Sequence, residues 1–275
     1  MKLHKSIALM LGAATLASCD YEKNAVQDIT GPVPASAVRF FNFGISAPAV
    51  NFYANDTKLT AISSSTCTAL PPSDICTTTG SESTNGVAYG GVGSGGSYSG
   101  VDAGQYTFSG RIAAATDKDL PISTVSATLE SGKKYSFYQS GVYNATTKTI
   151  DAFMVEDPVP SPIDWASANV RFVNAIYNAN PMTLYAKNQT TGQEYTIGGE
   201  VAYKSAGGFT SIPGGFYDLS TRYAGSATNT LIRTAVGFGP GGVYTITAKG
   251  DITVAPTTTA CAAATRTCLD NTQHF

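Results

Sequence analysis

The chain has 275 residues, a formal net charge of −2 at pH 7 and only 13% charged residues. Its lysines and arginines are not clustered, and the neutralisation of phosphates needs clustered basic side chains, so the composition disfavours nucleic-acid binding. Glycine, serine, threonine, asparagine and tyrosine are plentiful, which is common in exported β proteins.

The first 18 residues have the features of a secretory signal peptide. A basic stretch from Met1 to Lys5 precedes an apolar run from Ile7 to Leu16, and small residues follow. This run is shorter than the roughly 20 residues that a membrane-spanning helix needs. The sequence Leu16-Ala17-Ser18-Cys19 resembles the bacterial lipobox, so we expect Cys19 to become the first mature residue and to carry lipid. The alternative is an ordinary signal peptide with an incidental cysteine.

Residues 19–35 are predicted to be a polar tether between the lipid and the fold. Asp20 resembles an inner-membrane retention signal of enteric-type bacteria, while Asp20-Tyr21-Glu22 weakly resembles a surface-export signal of other groups. We therefore expect a lipid-anchored protein of the cell envelope, on the periplasmic or the outer-surface face, and the sequence leaves the leaflet open.

The part of the sequence that is predicted to fold contains an internal repeat. VRFFN at Val38–Asn42 is answered by VRFVN at Val170–Asn174, and three later landmarks recur in the same order. These are a proline before a strand that ends in Tyr-Ala, a Gly-Gln-Tyr or Gly-Phe-Tyr turn, and a late Gly-x-x-Tyr strand. The predicted parts are a first repeat at 36–156, a linker at 157–165, a second repeat at 166–255 and a cysteine-containing tail at 256–275.

Each copy alternates apolar and polar residues with a period of two, between turn-forming residues, which predicts strands. We therefore predict an all-β protein of two tandem immunoglobulin-like β-sandwich domains joined by a Pro-rich linker, which would unfold separately. Phe40 and Phe172 should point into the two cores. Arg39 and Arg171, their neighbours, should point to solvent, because successive side chains alternate faces. Asn42 and Asn174 are expected to bond the following turns.

The first copy carries an inserted loop at residues 63–85, which has no counterpart in the second copy. Besides Cys19, four cysteines remain, and four cysteines allow three pairings. The pairing that closes the smallest loops joins Cys67 to Cys76 and Cys261 to Cys268 as disulfides. A metal site is the alternative, but the spacings do not resemble zinc patterns.

The repeated VRFFN and VRFVN strands, the Gly-Gln-Tyr and Gly-Phe-Tyr turns and the late Gly-x-x-Tyr strands resemble domain-of-unknown-function family 4397. The resemblance covers most of residues 36–255. It implies a bacterial exported protein, often a lipoprotein with tandem copies, and it implies no established activity.

The sequence indicates no catalytic, cofactor-binding or metal-binding residue. His274 is the single histidine after the signal peptide, so a catalytic triad or a His-ligated metal site has no evident base or ligand. The acidic pairs Asp117/Asp119 and Glu156/Asp157 fit solvated turns better than a hydrolytic site. Trp165 is expected to pack at the domain junction, although an exposed indole would suit a sugar.

These observations favour a non-enzymatic envelope lipoprotein that binds or scaffolds an unknown protein or glycan outside the cytoplasm. The membrane would be contacted through the lipid anchor, and no cofactor or nucleic acid is expected. The alternative is a carbohydrate-binding accessory lipoprotein, and a hydrolase using a carboxylate pair is less favoured.

Overall fold

A computed structural model describes residues 35–60, 66–68, 75–77, 86–254, 256 and 267–274 of the chain. The signal peptide, Cys19, the tether up to residue 34 and Cys261 lie outside these residues, so the predictions about them remain predictions. For residues 66–68 and 75–77 the structure describes the backbone alone.

The first repeat is built from two four-stranded sheets and a separate hairpin of two short strands. Its strands are β1 (Ser36–Ile45), β2 (Val50–Ala54), β3 (Thr57–Lys58), β4 (Thr66–Thr68), β5 (Ile75–Thr77), β6 (Ser99–Val101), β7 (Gly104–Ile112), β8 (Pro121–Leu129), β9 (Lys134–Asn144) and β10 (Thr149–Glu156). Sheet I has the order β10-β9-β1-β6 and sheet II the order β3-β2-β7-β8. Phe40 and Phe52 stack between these sheets at a ring separation of 5.0 Å, so the pair forms a sandwich with its own core.

The second repeat has the same plan. Its strands are β11 (Ser167–Asn174), β12 (Met182–Asn188), β13 (Glu194–Val201), β14 (Ser205–Ala206), β15 (Thr210–Pro213), β16 (Gly215–Tyr223), β17 (Leu231–Phe238), β18 (Val243–Lys249) and β19 (Cys268–Gln273). Sheet III has the order β14-β11-β18-β19, with β15 also paired to β11, and sheet IV the order β13-β12-β16-β17. Phe172 and Tyr217 lie in its core. The prediction of an all-β chain with two tandem sandwiches is confirmed.

The two VRF strands occupy equivalent positions. In sheet I, β1 runs parallel to β9 with Phe40 opposite Phe137. In sheet III, β11 runs parallel to β18 with Phe172 opposite Ile246. Parallel strand pairs are usually covered on both faces. Both pairs follow this tendency, since nearly every residue of β1, β11 and β18 is buried.

The end of the predicted tail is part of the second sandwich. Residues Cys268–Gln273 form β19, which is antiparallel to β18 with Leu269 opposite Ala248. This strand takes the place that β10 takes beside β9 in the first copy. The sequence concealed it because CLDNTQ has little apolar periodicity, and its strand pairing is supplied by β18.

Sheets I and III pack face to face, which the sequence did not predict. A third apolar cluster contains residues of both repeats: Phe41, Phe43, Tyr138, Phe153, Val173 and Ala175. Residues Pro34–Phe275 form one compact unit. The proline-rich segment after β10 therefore does not hold the sandwiches apart, and four sheets are layered in the order II, I, III and IV.

The structure shows the predicted turn bonds of the two asparagines. Asn42 accepts a hydrogen bond from the Gly44 amide at 3.1 Å, and Asn174 accepts one from the Ile176 amide at 3.1 Å, as predicted. In the insertion, β4 and β5 form an antiparallel hairpin whose backbone register places Cys67 opposite Cys76.

Phe40→Ala and Phe172→Ala should each lower the free energy of unfolding by about 3–5 kcal/mol, because each removes a fully buried ring from a packed core. Both substitutions should shift a single common transition, since the repeats share the interface cluster. Chemical denaturation followed by fluorescence and circular dichroism measures this. The exposed Gln105→Ala is the control and should change stability by less than about 0.5 kcal/mol. Two separate transitions would show that the interface does not couple the sandwiches.

Candidate functional site

The densest arrangement of ionisable side chains lies where the two sandwiches and the segment after β10 meet. Arg171, from the VRF strand of the second repeat, is fully buried there together with Asp157, the first residue of the predicted linker. Arg171 Nη2 donates to Asp157 Oδ1, and Nη1 donates to the Glu156 carbonyl at 2.8 Å. Its Nε donates to Thr245 Oγ1 of the neighbouring β18 at 2.9 Å. Every nitrogen of the guanidinium therefore has a partner.

The second carboxylate oxygen of Asp157 is bound from the first repeat. Asp157 Oδ2 accepts hydrogen bonds from the Tyr98 hydroxyl at 2.6 Å and from Ser136 Oγ at 2.7 Å. The Asp157 amide donates to the Lys134 carbonyl at 2.7 Å. Asp157 thus joins a side chain of each sandwich to the segment that connects them.

His274 completes a cycle of contacts. Its Nδ1 lies 2.7 Å from the Tyr98 hydroxyl, and its Nε2 lies 2.7 Å from Thr245 Oγ1. Tyr98 uses its proton on Asp157, so it accepts from Nδ1–H. Thr245 accepts from Arg171 and has its own proton to donate to Nε2. We call the cycle of Arg171, Asp157, Tyr98, His274 and Thr245 the polar ring.

The proton assignment in the polar ring agrees with the pKa shifts. Burial, reinforced by the positive charges of Arg171 and Arg39 and opposed by Asp157, lowers the pKa of His274 to about 3. Burial and the adjacent Asp157 carboxylate raise the pKa of the Tyr98 phenol above its ordinary value. His274 is therefore neutral and Tyr98 is protonated near neutral pH.

Arg39, which has the same position in the first repeat, lies beside the ring. Its guanidinium carbon is 4.2 Å from the centre of the Tyr98 ring, and Nη1 donates to the Gln273 carbonyl at 3.2 Å. The prediction that Arg39 and Arg171 are exposed is wrong, because their exposed fractions are 2% and 0%. Both side chains do point away from their own core, but the other sandwich covers that face.

The polar ring has the chemistry of a structural clamp. Its histidine uses both nitrogens on ring members, and its one threonine hydroxyl is buried and bonded on two sides. A general base needs a free nitrogen within reach of a substrate proton, which His274 does not offer. In the part of the chain that the structure describes, no group of three or more His, Cys, Asp or Glu side chains is placed to hold a metal ion.

A surface cleft of about 370 Å³ lies over the segment after β10, next to Asp157. Lys133, at its rim, pairs with Glu130 and Glu156, each at 3.0 Å. These three charged side chains are therefore paired with one another at the surface.

Other side chains considered from the sequence lie apart from the ring. Asp117 pairs with Lys148, and Asp119 accepts from the Tyr53 hydroxyl at 2.7 Å, both in an exposed turn as predicted. The prediction of a solvated turn is wrong for Asp157, which is buried. The packing prediction for Trp165 is also wrong, because this side chain is 78% exposed.

Sequence reasoning missed Tyr98, Thr245, the burial of Asp157 and the location of His274. Only the recurrence of an arginine inside a strand of both copies could have signalled a buried polar site, because an isolated surface arginine has no reason to recur. The other members become neighbours through the packing of sheet I on sheet III.

Arg171→Ala should reduce the free energy of unfolding by about 3–5 kcal/mol, because it leaves the Asp157 carboxylate buried without its countercharge. Arg39→Ala, the matched variant of the first repeat, should cost about 1–2 kcal/mol, since Arg39 makes one main-chain hydrogen bond and one cation–π contact. Adding Asp157→Ala to Arg171→Ala should cost less than the sum of the two single changes. Denaturation of the four variants measures these values, and strict additivity would contradict the pairing.

The stability of the protein should fall in mild acid. The folded state keeps His274 neutral below the pKa of about 6.5 that applies in the unfolded chain, so acid favours unfolding. The loss should begin as the pH drops below 6.5 and approach about 1.4 kcal/mol per pH unit toward pH 5, above the range where carboxylates titrate. His274→Gln should flatten the curve between pH 6.5 and 5. An unchanged slope in this variant would assign the dependence to other groups.

Comparisons with known proteins agree with the repeat. The family model "Domain of unknown function (DUF4397)" matches residues 36–185 and 168–267. A search of curated proteins finds no match. In the described residues no helix is long and apolar enough to cross a membrane.

A solved structure described as "The Bacillus anthracis TIE protein" aligns over 78% of this chain and 33% of that chain, at 9% identity and a TM-score of 0.21. The chain thus spans about a third of that protein's length, and a TM-score this low does not indicate a shared fold. The two family matches, in contrast, cover most of the sequence and begin at or next to the VRF strands β1 and β11. The chain therefore belongs to the DUF4397 family and carries the domain in tandem.

Proposed function

We propose that this protein is a lipid-anchored component of the bacterial cell envelope, with a non-enzymatic binding or scaffolding role outside the cytoplasm. The observation that carries the proposal is the use of His274 inside the polar ring. It is the one histidine that follows the predicted signal peptide, and both of its nitrogens are bonded within the fold. The groups best suited to acid–base chemistry thus serve to join the two sandwiches.

The packing between the repeats supports a rigid unit. The third apolar cluster and the polar ring both contain residues of the two repeats. An ion pair also joins them, between Lys204 of the second repeat and Asp151 of the first at 2.7 Å. Lys249 of β18 pairs with Asp270 at 2.7 Å and lies 4.4 Å from the centre of the Phe43 ring of β1. Such a unit would present surfaces of both repeats in one fixed orientation to a partner.

A carbohydrate-binding role is the second candidate. The observation that favours it is the exposure of two large aromatic side chains, Trp165 at 78% and Phe216 at 62%. Aromatic faces of this kind suit the apolar face of a sugar ring. A carboxylate-pair hydrolase receives no support, because Asp117 is paired with Lys148 and Asp119 is bonded to Tyr53.

The four cysteines after Cys19 are proposed to form the disulfides Cys67–Cys76 and Cys261–Cys268. The hairpin register supports the first pair, since opposite residues of antiparallel strands lie within the Cα separation that a disulfide spans. Peptide mapping without reduction should recover the two predicted linked peptides from exported protein. Linkage of Cys76 to Cys268, or free thiols at all four positions, would contradict the pairing.

Cys19→Ser should move the protein from the membrane fraction to the soluble fraction, because acyl chains on Cys19 are the proposed anchor. Fractionation in high salt, followed by immunoblotting, measures the shift. Cys67→Ser is the matched control and should stay with the membrane. A Cys19→Ser protein that still sediments with membranes would contradict the lipid anchor.

A further inference from the structure

The outer face of sheet IV carries an aromatic side chain beside a polar cleft. On β12 and β16, Ala186 and Leu219 are buried and opposite each other, so the next residues on each strand alternate to the outer face. Lys187 of β12 is opposite Asp218 of β16 in the register. Beyond this pair, the Gln189 amide donates to the Phe216 carbonyl at 2.9 Å, which places Gln189 beside Phe216.

The Phe216 ring is presented to solvent on one side only. Phe216 is opposite Gly237 of β17, and a Cβ atom at Gly237 would lie 3.3 Å from the ring. The absence of a side chain at Gly237 lets the ring pack against the strand. Since Phe216 is still 62% exposed, its other side is open.

The adjoining cleft is polar and has a volume of about 600 Å³. It is lined by Lys187, Asn188, Gln189, Thr190, Thr191, Gly192 and Asp218. Gln189 Nε2 and the Ala235 amide donate to Asp218 Oδ1 at 2.8 and 3.1 Å, so the carboxylate has a fixed orientation. Asn188 Oδ1 accepts from the amides of the two threonines at 2.9 Å, which shapes the turn.

The first repeat provides an internal comparison. In the first repeat Phe108 is opposite Ala54, and in the second repeat Leu219 is opposite Ala186. Phe108 and Leu219 therefore occupy equivalent positions. Counting back along each strand, Gln105 corresponds to Phe216 and Thr107 to Asp218. Other features of this face are common to both copies. An arginine lies over a tyrosine ring in each, Arg111 over Tyr53 at 4.3 Å and Arg222 over Tyr185 at 4.2 Å. The shared stacks thus belong to the fold, whereas the fold does not require an exposed ring at position 216.

We propose that Phe216 and the cleft beside it form a binding site for a neutral polysaccharide. The open side of the ring fits the C–H face of a pyranose, and the amide, hydroxyl and carboxylate groups of the cleft fit sugar hydroxyls. Lys187 and Asp218 stand opposite each other and balance in charge, so the site favours neither an anionic nor a cationic ligand. The cleft is too polar for an acyl chain or an apolar peptide. This inference rests on the proposed binding role and gives it a ligand class.

The test is affinity electrophoresis of the full chain, in neutral detergent, through gels that contain β-glucan, xylan, mannan or dextran. At least one of these neutral polymers should retard the wild-type protein. Phe216→Gln, which installs the residue found at the equivalent position of the first repeat, should weaken that retardation about tenfold in apparent Kd. Gln105→Ala, at the equivalent exposed position of the first repeat, is the matched control and should bind as the wild type does.

Three outcomes would overturn the site. These are no retardation in any of the four gels, equal retardation of Phe216→Gln and wild type, and retardation only in a fifth gel that contains the anionic polymer alginate. Circular dichroism of Phe216→Gln checks that the variant is folded, and Asp218→Asn provides a second variant that should also weaken binding. Failure here would leave the membrane fractionation of Cys19→Ser unaffected, so the anchor and the glycan site are judged separately.

Discussion

The guanidinium of Arg171 is completely buried between two β-sandwiches, where a charge without a partner would cost several kcal/mol. The rest of the interface is arranged around that requirement. Asp157 must reach it from the connecting segment, and Thr245 must present its hydroxyl from β18. Tyr98 then donates to the second carboxylate oxygen of Asp157, and His274 donates to Tyr98 and accepts from Thr245. A cycle of directional bonds has few alternative geometries, so it specifies one orientation of the two repeats in a way that apolar contacts between flat sheets do not.

This arrangement explains how a tandem repeat becomes one unit. Each sandwich has its own apolar core, and each also exposes one face of its central parallel strands. Packing sheet I on sheet III covers these faces and creates the third apolar cluster. The strand β19 adds to this joint structure, because it brings His274 and the Gln273 carbonyl to the interface. The stability of the protein, the relative orientation of the two repeats and the protonation of His274 are therefore coupled.

A comparison of the two copies also distinguishes features that the common fold requires from features that belong to one copy. Features present in both copies, such as the asparagine that closes the VRF strand and the arginine–tyrosine stack, are explained by the common fold. Phe216 has no aromatic counterpart in the first copy, and its ring lies against Gly237. Because position 216 is exposed, one repeat can acquire a binding side chain there without a change in its core.

The sequence by itself determined the local and repetitive properties of this protein. Period-two alternation and recurring landmarks are local signals, so they sufficed to predict strands, two sandwiches, core positions for Phe40 and Phe172, and the turn bonds of Asn42 and Asn174. The tertiary structure alone decided which outward faces meet solvent. Alternation tells which side of a sheet Arg171 occupies, but not that a second sheet covers that side. For the same reason Asp157, Tyr98 and His274 became neighbours only through the packing of sheet I on sheet III, and Trp165, which the sequence placed at a junction, was left in solvent.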